Sequence, residues 1–568
     1  MTVANYLAKF LKEKNIDTVF VLQGGMITRL IDAIHHEGGT KIVSVHHEQA
    51  AAFAADAYAR VTNKPGVAFA TSGPGATNLI TGIGSCYFDS VPAVFITGQV
   101  NLNEQKGKRK TRQIGFQETE IVPIVRPVTK AAYSIKKPDE IPFVLEEAYQ
   151  IATKGRPGPV LIDIPMNVQN QEIGEVLHQG LNLEGEVNKD DVKNFYSKFL
   201  DVLKESKRPL VLAGRGIPAS GTTGKFRQMI EKLNLPVVTS LLGFDVLPYD
   251  HPCRIGFIGT YGNRWANFAL GSTDLLLVLG SRLDLRQTGS DINSFKKGKK
   301  IFHVDIDNAE LNNRIKGCTV IKSDLSNFFD ITESMETCDF RISAWRDEIL
   351  EKYTVQMDTD ELNNINGINP NIFIHQLSHA SKAAKAITTD VGNNQMWTSQ
   401  SYELVDGQIF ISSGGMGAMG YSLPSAIGAC IASGNSPVLC ISGDGGFQIN
   451  IQELQTIKRN NLPIKIVVLN NHCLGMIRQF QDSYFDSCYQ ATVWGYDTPD
   501  FVKVARAYGI ESYSIAKQEE IENGLSKLWG SPSDPFLLEI KIDIFTNVYP
   551  KILFGNPITV MDPLIKKV

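Results

Sequence analysis

The 568 residues include no apolar run near the ~20 needed to span a bilayer; the stretch 91–100 is short and broken by Pro92 and Gly98. No secretory pattern opens the chain, which enters an amphipathic helix at once through Tyr6, Leu7, Phe10 and Leu11. Cysteine is sparse, eight residues without a Cys-x-x-Cys pair, so no disulfide framework or zinc ribbon is expected and the thiols should be reduced. An excess of one charge is missing as well. Net charge is −4 and pI near 6.2, which removes the electrostatic reason to expect nucleic acid or an anionic membrane as partner. Low-complexity segments and sequence repeats are not visible. A cytoplasmic enzyme is the expectation that remains.

What is present is a long alternation of short apolar strands and helical stretches, the pattern of doubly wound parallel α/β domains. A chain of this length exceeds one hydrophobic core. Two polar stretches, 169–191 and 351–369, read as linkers. They divide the chain into three expected domains, 1–170, 190–345 and 365–550.

The most informative stretch is 437–471. An apolar strand ends in Gly443-Asp444-Gly445-Gly446, a helical pattern follows, and a second strand ends in Asn470-Asn471. Asp444 and Asn471 therefore stand at carboxyl ends of parallel strands, where open α/β sheets bind ligands. A carboxylate and an amide oxygen are hard ligands suited to Mg²⁺, which keeps coordination sites for substrate phosphates. The glycines allow a diphosphate close to the backbone, and a helix N-terminus favours its charge. Upstream, Val45-His46-His47-Glu48-Gln49 ends a strand and opens an alanine-rich helix. By itself Glu48 there reads as a residue matched to the helix dipole.

The paired G-D-G and N-N segments, 24 residues apart between Gly445 and Asn470, resemble the signature of thiamine-diphosphate (ThDP) enzymes. The resemblance to acetolactate synthases and their relatives extends over nearly the whole chain. It implies a pyrimidine-binding first domain, a central domain of FAD or ADP type, and a third domain for diphosphate and Mg²⁺. Asp444 and Asn471 would then hold Mg²⁺ by side chain and Cys473 by its carbonyl. Glu48 would hydrogen-bond the aminopyrimidine ring and promote loss of the thiazolium proton, a task for a carboxyl in a dry setting. Further ThDP contacts implied are Gly25, Ser72, Pro74 and Asn78 beside the ring, and Val391, Gly392, Asn393 and Asn394 at the diphosphate end. Gly417 and Met419 would force the cofactor's bend, with Gly443, Gly445, Gly446 and Met476 completing the contact. Where this chain has Asn393-Asn394, the family often has Gln-His.

In the central block, Gly214, Gly216, Ser240, Leu241, Gly280, Arg282, Asp284, Arg286, Asp305, Ile306 and Asp324 together resemble an FAD-binding domain, the R-x-D-x-R of Arg282, Asp284 and Arg286 being most specific. The flavin is expected as a structural remnant without a redox role. In the family, Glu48 of one chain completes a site whose Mg²⁺ lies in another, so a homodimer is the minimum unit implied and a homotetramer is expected.

The implied reaction is decarboxylation of a 2-oxo acid, pyruvate, with transfer of the two-carbon fragment to an acceptor carbonyl. Gly115-Phe116-Gln117-Glu118 resembles the F-Q-E segment of acetolactate synthases, with Gln117 near the reacting fragment, whereas simple decarboxylases carry a His pair this chain lacks at that location. Three departures concern the acceptor. Gln23 stands where the family has Pro, Phe480 where it has Trp, and the stretch before Phe116 is about six residues longer than usual. That stretch carries Lys106, Lys108, Arg109, Lys110 and Arg112. It reads either as a solvated loop or as a grip for a phosphorylated acceptor. With the tail Phe554-Gly555-Asn556-Pro557-Ile558 it resembles ThDP carboligases of surface-polysaccharide synthesis. That implies an alternative acceptor, a 4-keto deoxysugar nucleotide destined for a branched-chain, yersiniose-type O-antigen sugar. Simple 2-oxo acid decarboxylation is the remaining alternative.

Overall fold

In the computed structural model, residues 1–174, 188–335, 343–362 and 365–564 are described, and among them eighteen strands form three wholly parallel sheets of six. The first holds β1 (Thr18–Val21), β2 (Lys41–Ser44), β3 (Gly66–Ala70), β4 (Ala93–Gln99), β5 (Ala131–Ser134) and β6 (Pro159–Pro165) in the order β2-β1-β3-β4-β6-β5. The second holds β7 (Pro209–Ala213), β8 (Val237–Thr239), β9 (Arg254–Phe257), β10 (Leu275–Leu279), β11 (Lys300–Asp305) and β12 (Thr319–Lys322), ordered β12-β11-β10-β7-β8-β9. The third holds β13 (Ala386–Thr389), β14 (Ile409–Ser412), β15 (Val438–Gly443), β16 (Ile464–Asn470), β17 (Glu511–Ile515) and β18 (Phe536–Lys541), ordered β14-β13-β15-β16-β18-β17. Central strands such as β10, whose LLLVL run is buried throughout, are apolar on both faces because helices cover both.

Counted within its own domain, the third order repeats the first, although no repeat is legible in the sequence. The middle order is the doubly wound dinucleotide arrangement, with its topological switch between β7 and β10.

The first and third domains meet along two helices, Glu48–Thr62 and Ser422–Ala432. Small residues permit the approach. A Cβ on Gly428 would stand 2.0 Å from the Ala54 carbonyl oxygen, and one on Gly66 1.9 Å from that of Ala55. The alanines of the first helix are thus a packing requirement, wedged between their own sheet and the third domain.

The expected linkers are shorter than the sequence suggests. Residues 175–187 lie outside the described part, but helix Lys189–Glu205 packs Phe195, Tyr196 and Phe199 into the middle core. Helix Ser343–Val355 overlaps the second expected linker and buries Trp345, whose indole donates to the Pro209 carbonyl at 3.1 Å. Among the described residues no helix is long and apolar enough to cross a membrane.

Candidate active site

Asp444 opens a helix directly after β15 and is 3% exposed. Burial raises its carboxyl to about 7 against the backbone N–H groups of Gly445, Cys473 and His472. Its Oδ1 accepts from Gly445 N at 2.8 Å, while Oδ2, also buried, has no hydrogen-bond partner among the described residues. A buried carboxylate oxygen left unpaired is costly, and a cation is the usual remedy.

Asn471 follows β16, and Asn393 opens helix Asn393–Ser401. Their amides converge on Gly475, where a Cβ would lie 2.5 Å from Asn393 Nδ2 and 2.6 Å from Asn471 Nδ2. Asn393 Oδ1 is a second buried oxygen without a partner among the described residues. Asn394 instead turns inward and donates to the Asp390 carbonyl at 3.0 Å. Three helices thus begin around this point, at Asn393, Asp444 and Gly475, and their N–H ends favour an anion. Among the described residues no three His, Cys, Asp or Glu side chains gather as a metal cage. One carboxylate, amide oxygens and carbonyls beside an anion-favouring surface fit a Mg²⁺ shared with a diphosphate. Burial pushes the Cys473 thiol up to about 12, so the thiol stays protonated at neutral pH.

Gly446 has a separate reason to be glycine: a Cβ would stand 2.3 Å from Asp390 Oδ2. Asp390 is fully buried, is raised to about 6 by desolvation, and accepts from Ser442 Oγ, Ser422 Oγ and Tyr421 N. Met419 reaches the same floor, its Cε 3.1 Å from where a Gly445 Cβ would sit. Gly417, at φ +61°, takes a left-handed turn just before it.

These groups line one end of a cavity of about 870 Å³ that continues into the middle-domain switch point. Every residue expected there from the middle domain lines it except Gly214. Gly214 acts behind the wall: a Cβ on it would meet the Gly280 carbonyl oxygen at 2.2 Å, so it permits the close crossing of the two loops. Asp284 is occupied as a helix cap, accepting from Arg286 N and Gln287 N at 2.9 and 3.1 Å. Asp324 likewise caps helix Leu325–Thr332. Asp305, at the end of β11, is raised to about 6 by burial. Not foreseen were Arg215, whose buried Nε lacks a partner among the described residues, and Arg156. The latter reaches from the first domain to Asp307 and Glu310 at 3.0 and 2.7 Å.

The first-domain residues form a separate group. Glu48, 6% exposed, is the first residue of its helix, and its Oε2 accepts from Asn78 Nδ2 at 2.9 Å. A Cβ on Gly75 would approach Glu48 Oε1 to 3.2 Å, so the Pro74–Asn78 turn closes over the carboxylate. Ser72 Oγ lies 2.8 Å from the Gln117 carbonyl, and Gln117 itself is held at φ +66°. Beneath them Gln99 donates to the Thr119 carbonyl and to buried Asp163, a link the sequence did not reveal. Gly25 is exposed in the turn after β1. None of Glu48, Gly25, Ser72, Pro74, Asn78 and Gln117 lines the large cavity, so within one chain the expected site stands as two halves.

The basic stretch sits beside Gln117. Glu118 accepts the N–H of Lys106 and of Ile114 at 2.5 and 2.8 Å, clamping both ends of the loop. Lys106 pairs with Glu120 at 2.6 Å. Lys108, Arg109, Lys110 and Arg112 are exposed, and none pairs with a carboxylate among the described residues. Phe480, at another of the three departures from the family pattern, packs with Tyr484, Phe485 and Phe554 at the cavity mouth.

Family comparisons agree with this layout. The N-terminal TPP binding domain of thiamine pyrophosphate enzymes matches residues 1–122, their central domain 196–331, and their C-terminal TPP binding domain 390–540. The chain is 36% identical over 556 residues to the acetolactate synthase isozyme 2 large subunit of Escherichia coli (strain K12), covering 97% of each. It is 37% identical over 549 residues to the acetolactate synthase large subunit of Lactococcus lactis, covering 96% of this chain and 93% of that one. Acetolactate synthase 1, chloroplastic, of Zea mays is 36% identical over 570 residues, with 97% and 87% covered.

Proposed function

Since the chain belongs to the thiamine pyrophosphate enzyme family, among relatives of the acetolactate synthase large subunits, we propose that it decarboxylates pyruvate and joins the two-carbon fragment to an acceptor carbonyl. The observation that carries the reading is the unpaired, buried Oδ2 of Asp444 among three helix N-termini, which suits Mg²⁺ and a diphosphate. Asp444, Asn471 and the Cys473 carbonyl would hold the metal. Val391, Gly392, Asn393, Asn394, Gly443, Gly445 and Gly446 would seat the diphosphate, and Gly417, Met419 and Met476 the cofactor's middle. Bound ThDP supplies the electron sink for loss of CO₂.

Glu48 holds and moves the proton at its Oε1, because the Asn78 amide already fixes Oε2. Its burial excludes water from that exchange. Ser72, Pro74, Asn78 and Gly25 shape the pocket around it, and Gln117 orients the reacting fragment. The separation of the two half-sites within one chain supports a homodimer in which each chain completes the other's site, with a homotetramer as the full assembly. The middle-domain crevice supports FAD bound without a redox role, through Gly216, Ser240, Arg282, Arg286 and Asp305. Location in the cytoplasm belongs to the same proposal.

The deciding experiment incubates the protein with ThDP, Mg²⁺ and pyruvate. Acetolactate as the product supports a second pyruvate as acceptor, and free acetaldehyde as the dominant product would overturn carboligation. Protein that purifies without colour and releases no flavin on denaturation would remove FAD.

A second reading of the acceptor rests on Lys108, Arg109, Lys110 and Arg112 of the loop beside Gln117, exposed and without a carboxylate partner among the described residues. Their density suits the diphosphate of a nucleotide sugar carrying a 4-keto group. Pyruvate consumed only when such a sugar is present, and less so after Lys108, Arg109 and Lys110 are neutralised, would support it.

A further inference from the structure

Where the first domain meets the third, a buried polar cluster serves no role in the reaction described above. Asp56, Arg60 and Asp89 have side chains at most 1% exposed. Arg60 Nε donates to Asp56 Oδ1 at 2.6 Å, and its Nη2 donates to Asp89 Oδ2 at 2.9 Å. The three are not merely paired with each other. Arg60 Nη1 donates to the Ser412 carbonyl at 3.2 Å, and the two oxygens of Asp89 accept from Gly414 N and Gly415 N at 3.0 and 2.7 Å. At the far side, Tyr421 Oη donates to Asp56 Oδ1 at 2.7 Å. The contacts bracket residues 413–420 of the third domain, the turn that carries Gly417 and Met419.

We propose that Asp56, Arg60 and Asp89 are positioning residues, by which the first domain of a chain fixes the cofactor-bending turn in the third domain of the same chain. The proposal rests on reading the large cavity as the ThDP site. Geometry favours positioning over simple packing. A buried ion pair alone is weak support for stability, yet here Arg60 also donates to the Ser412 carbonyl, Asp89 accepts two backbone N–H groups of the turn, and Asp56 takes the Tyr421 hydroxyl at the turn's far end. No larger residue could replace Gly415, since a Cβ there would lie 2.6 Å from Phe88 Cβ and 3.1 Å from Asp89 Oδ1. Asp56 and Arg60 also share a helix with Glu48, eight and twelve residues along from it. At 1.5 Å per residue these are about 12 and 18 Å. One rigid helix therefore presents the proton-handling carboxylate at its start and holds the opposite half-site from its middle.

The test measures ThDP binding calorimetrically, with Mg²⁺, on the full chain freed of cofactor. Tyr421→Phe removes one hydrogen bond from the clamp without changing shape, and Asp89→Asn removes the charge that orders Gly414 and Gly415. A buried hydrogen bond of ordinary strength corresponds to about a fivefold change. Tyr421→Phe should therefore weaken ThDP about fivefold, and Asp89→Asn about tenfold or more. Thr332→Val, which loses a buried helix hydrogen bond in the middle domain, should leave ThDP affinity unchanged. At saturating ThDP the two clamp variants should lower kcat with pyruvate KM held, a split that general destabilisation would not give. Wild-type affinity in both clamp variants overturns the proposal alone; if Asp89→Asn fails to fold, Tyr421→Phe decides. Wild-type protein that binds no ThDP overturns the reading of the cavity, and the clamp's purpose with it.

Discussion

Replacing Asp163 with Asn probes the electrostatics beneath the first-domain half-site. Asp163 stands on β6, 4% exposed, with Thr97 Oγ1 and Gln99 Nε2 donating to its oxygens at 2.7 and 3.0 Å. Burial pushes its carboxyl from the ordinary 3.8 up to about 7, outweighing both donors. Below about pH 4 folded and unfolded chains are both protonated here, and the native state carries no penalty. Between there and pH 7 the unfolded chain has released the proton while the folded one keeps it, so stability falls as pH rises. The interval from 3.8 to about 7, at about 1.36 kcal/mol per pH unit, amounts to about 4 kcal/mol as an upper figure. Asn cannot ionise, so Asp163→Asn should remove that loss. The assay is urea unfolding from pH 4.5 to 8, read as the wild-type-minus-variant difference so that other titrating groups cancel. The variant should gain relative to wild type by up to about 3 kcal/mol across that range, the part of the interval above pH 4.5. Profiles that stay parallel would refute the reasoning.

Glu48→Gln should lower turnover by about 10²–10⁴ while ThDP binds within a few-fold of wild type, as steady-state rates and calorimetry would establish. Asp444→Ala should weaken Mg²⁺-dependent ThDP binding by at least about 100-fold, and a cofactor titration with and without the metal would detect it. Gly446→Ala places a Cβ 2.3 Å from Asp390 Oδ2. It should destabilise the third domain by about 1–3 kcal/mol in urea unfolding of the cofactor-free protein.

The local grammar of the site was legible because strand ends announce themselves. Asp444, Asn471, Gly280 and Asp305 each follow an apolar run that could only be a buried strand, and parallel sheets put ligands at such ends. Glu48 was legible through the His-His-Glu-Gln motif at a helix start. Other parts depend on contacts between distant segments. Nothing near Asp89 in sequence points to Gly414 and Gly415, more than three hundred residues away, and nothing in β6 marks Asp163 as the support of Gln99. Helix Ser343–Val355 escaped notice because it buries only Trp345 and Ile349, too few to impose a periodic pattern on a polar stretch. The division into two half-sites, implied by the family resemblance, has its counterpart in a large cavity that Glu48 does not line.

The matching strand orders of the first and third sheets carry a historical meaning. Helices Glu48–Thr62 and Ser422–Ala432 both follow the second strand of their sheet and precede the third, and they pack against each other. Two copies of one domain joined about a local twofold axis would look like this: a symmetric homodimer whose genes were duplicated and fused. Such an ancestor would have owned two identical faces. The two faces now differ: Glu48 starts the helix of the first domain, while a turn carrying Gly417 and Met419 precedes the helix of the third. The middle domain, with a different strand order, stands outside this symmetry.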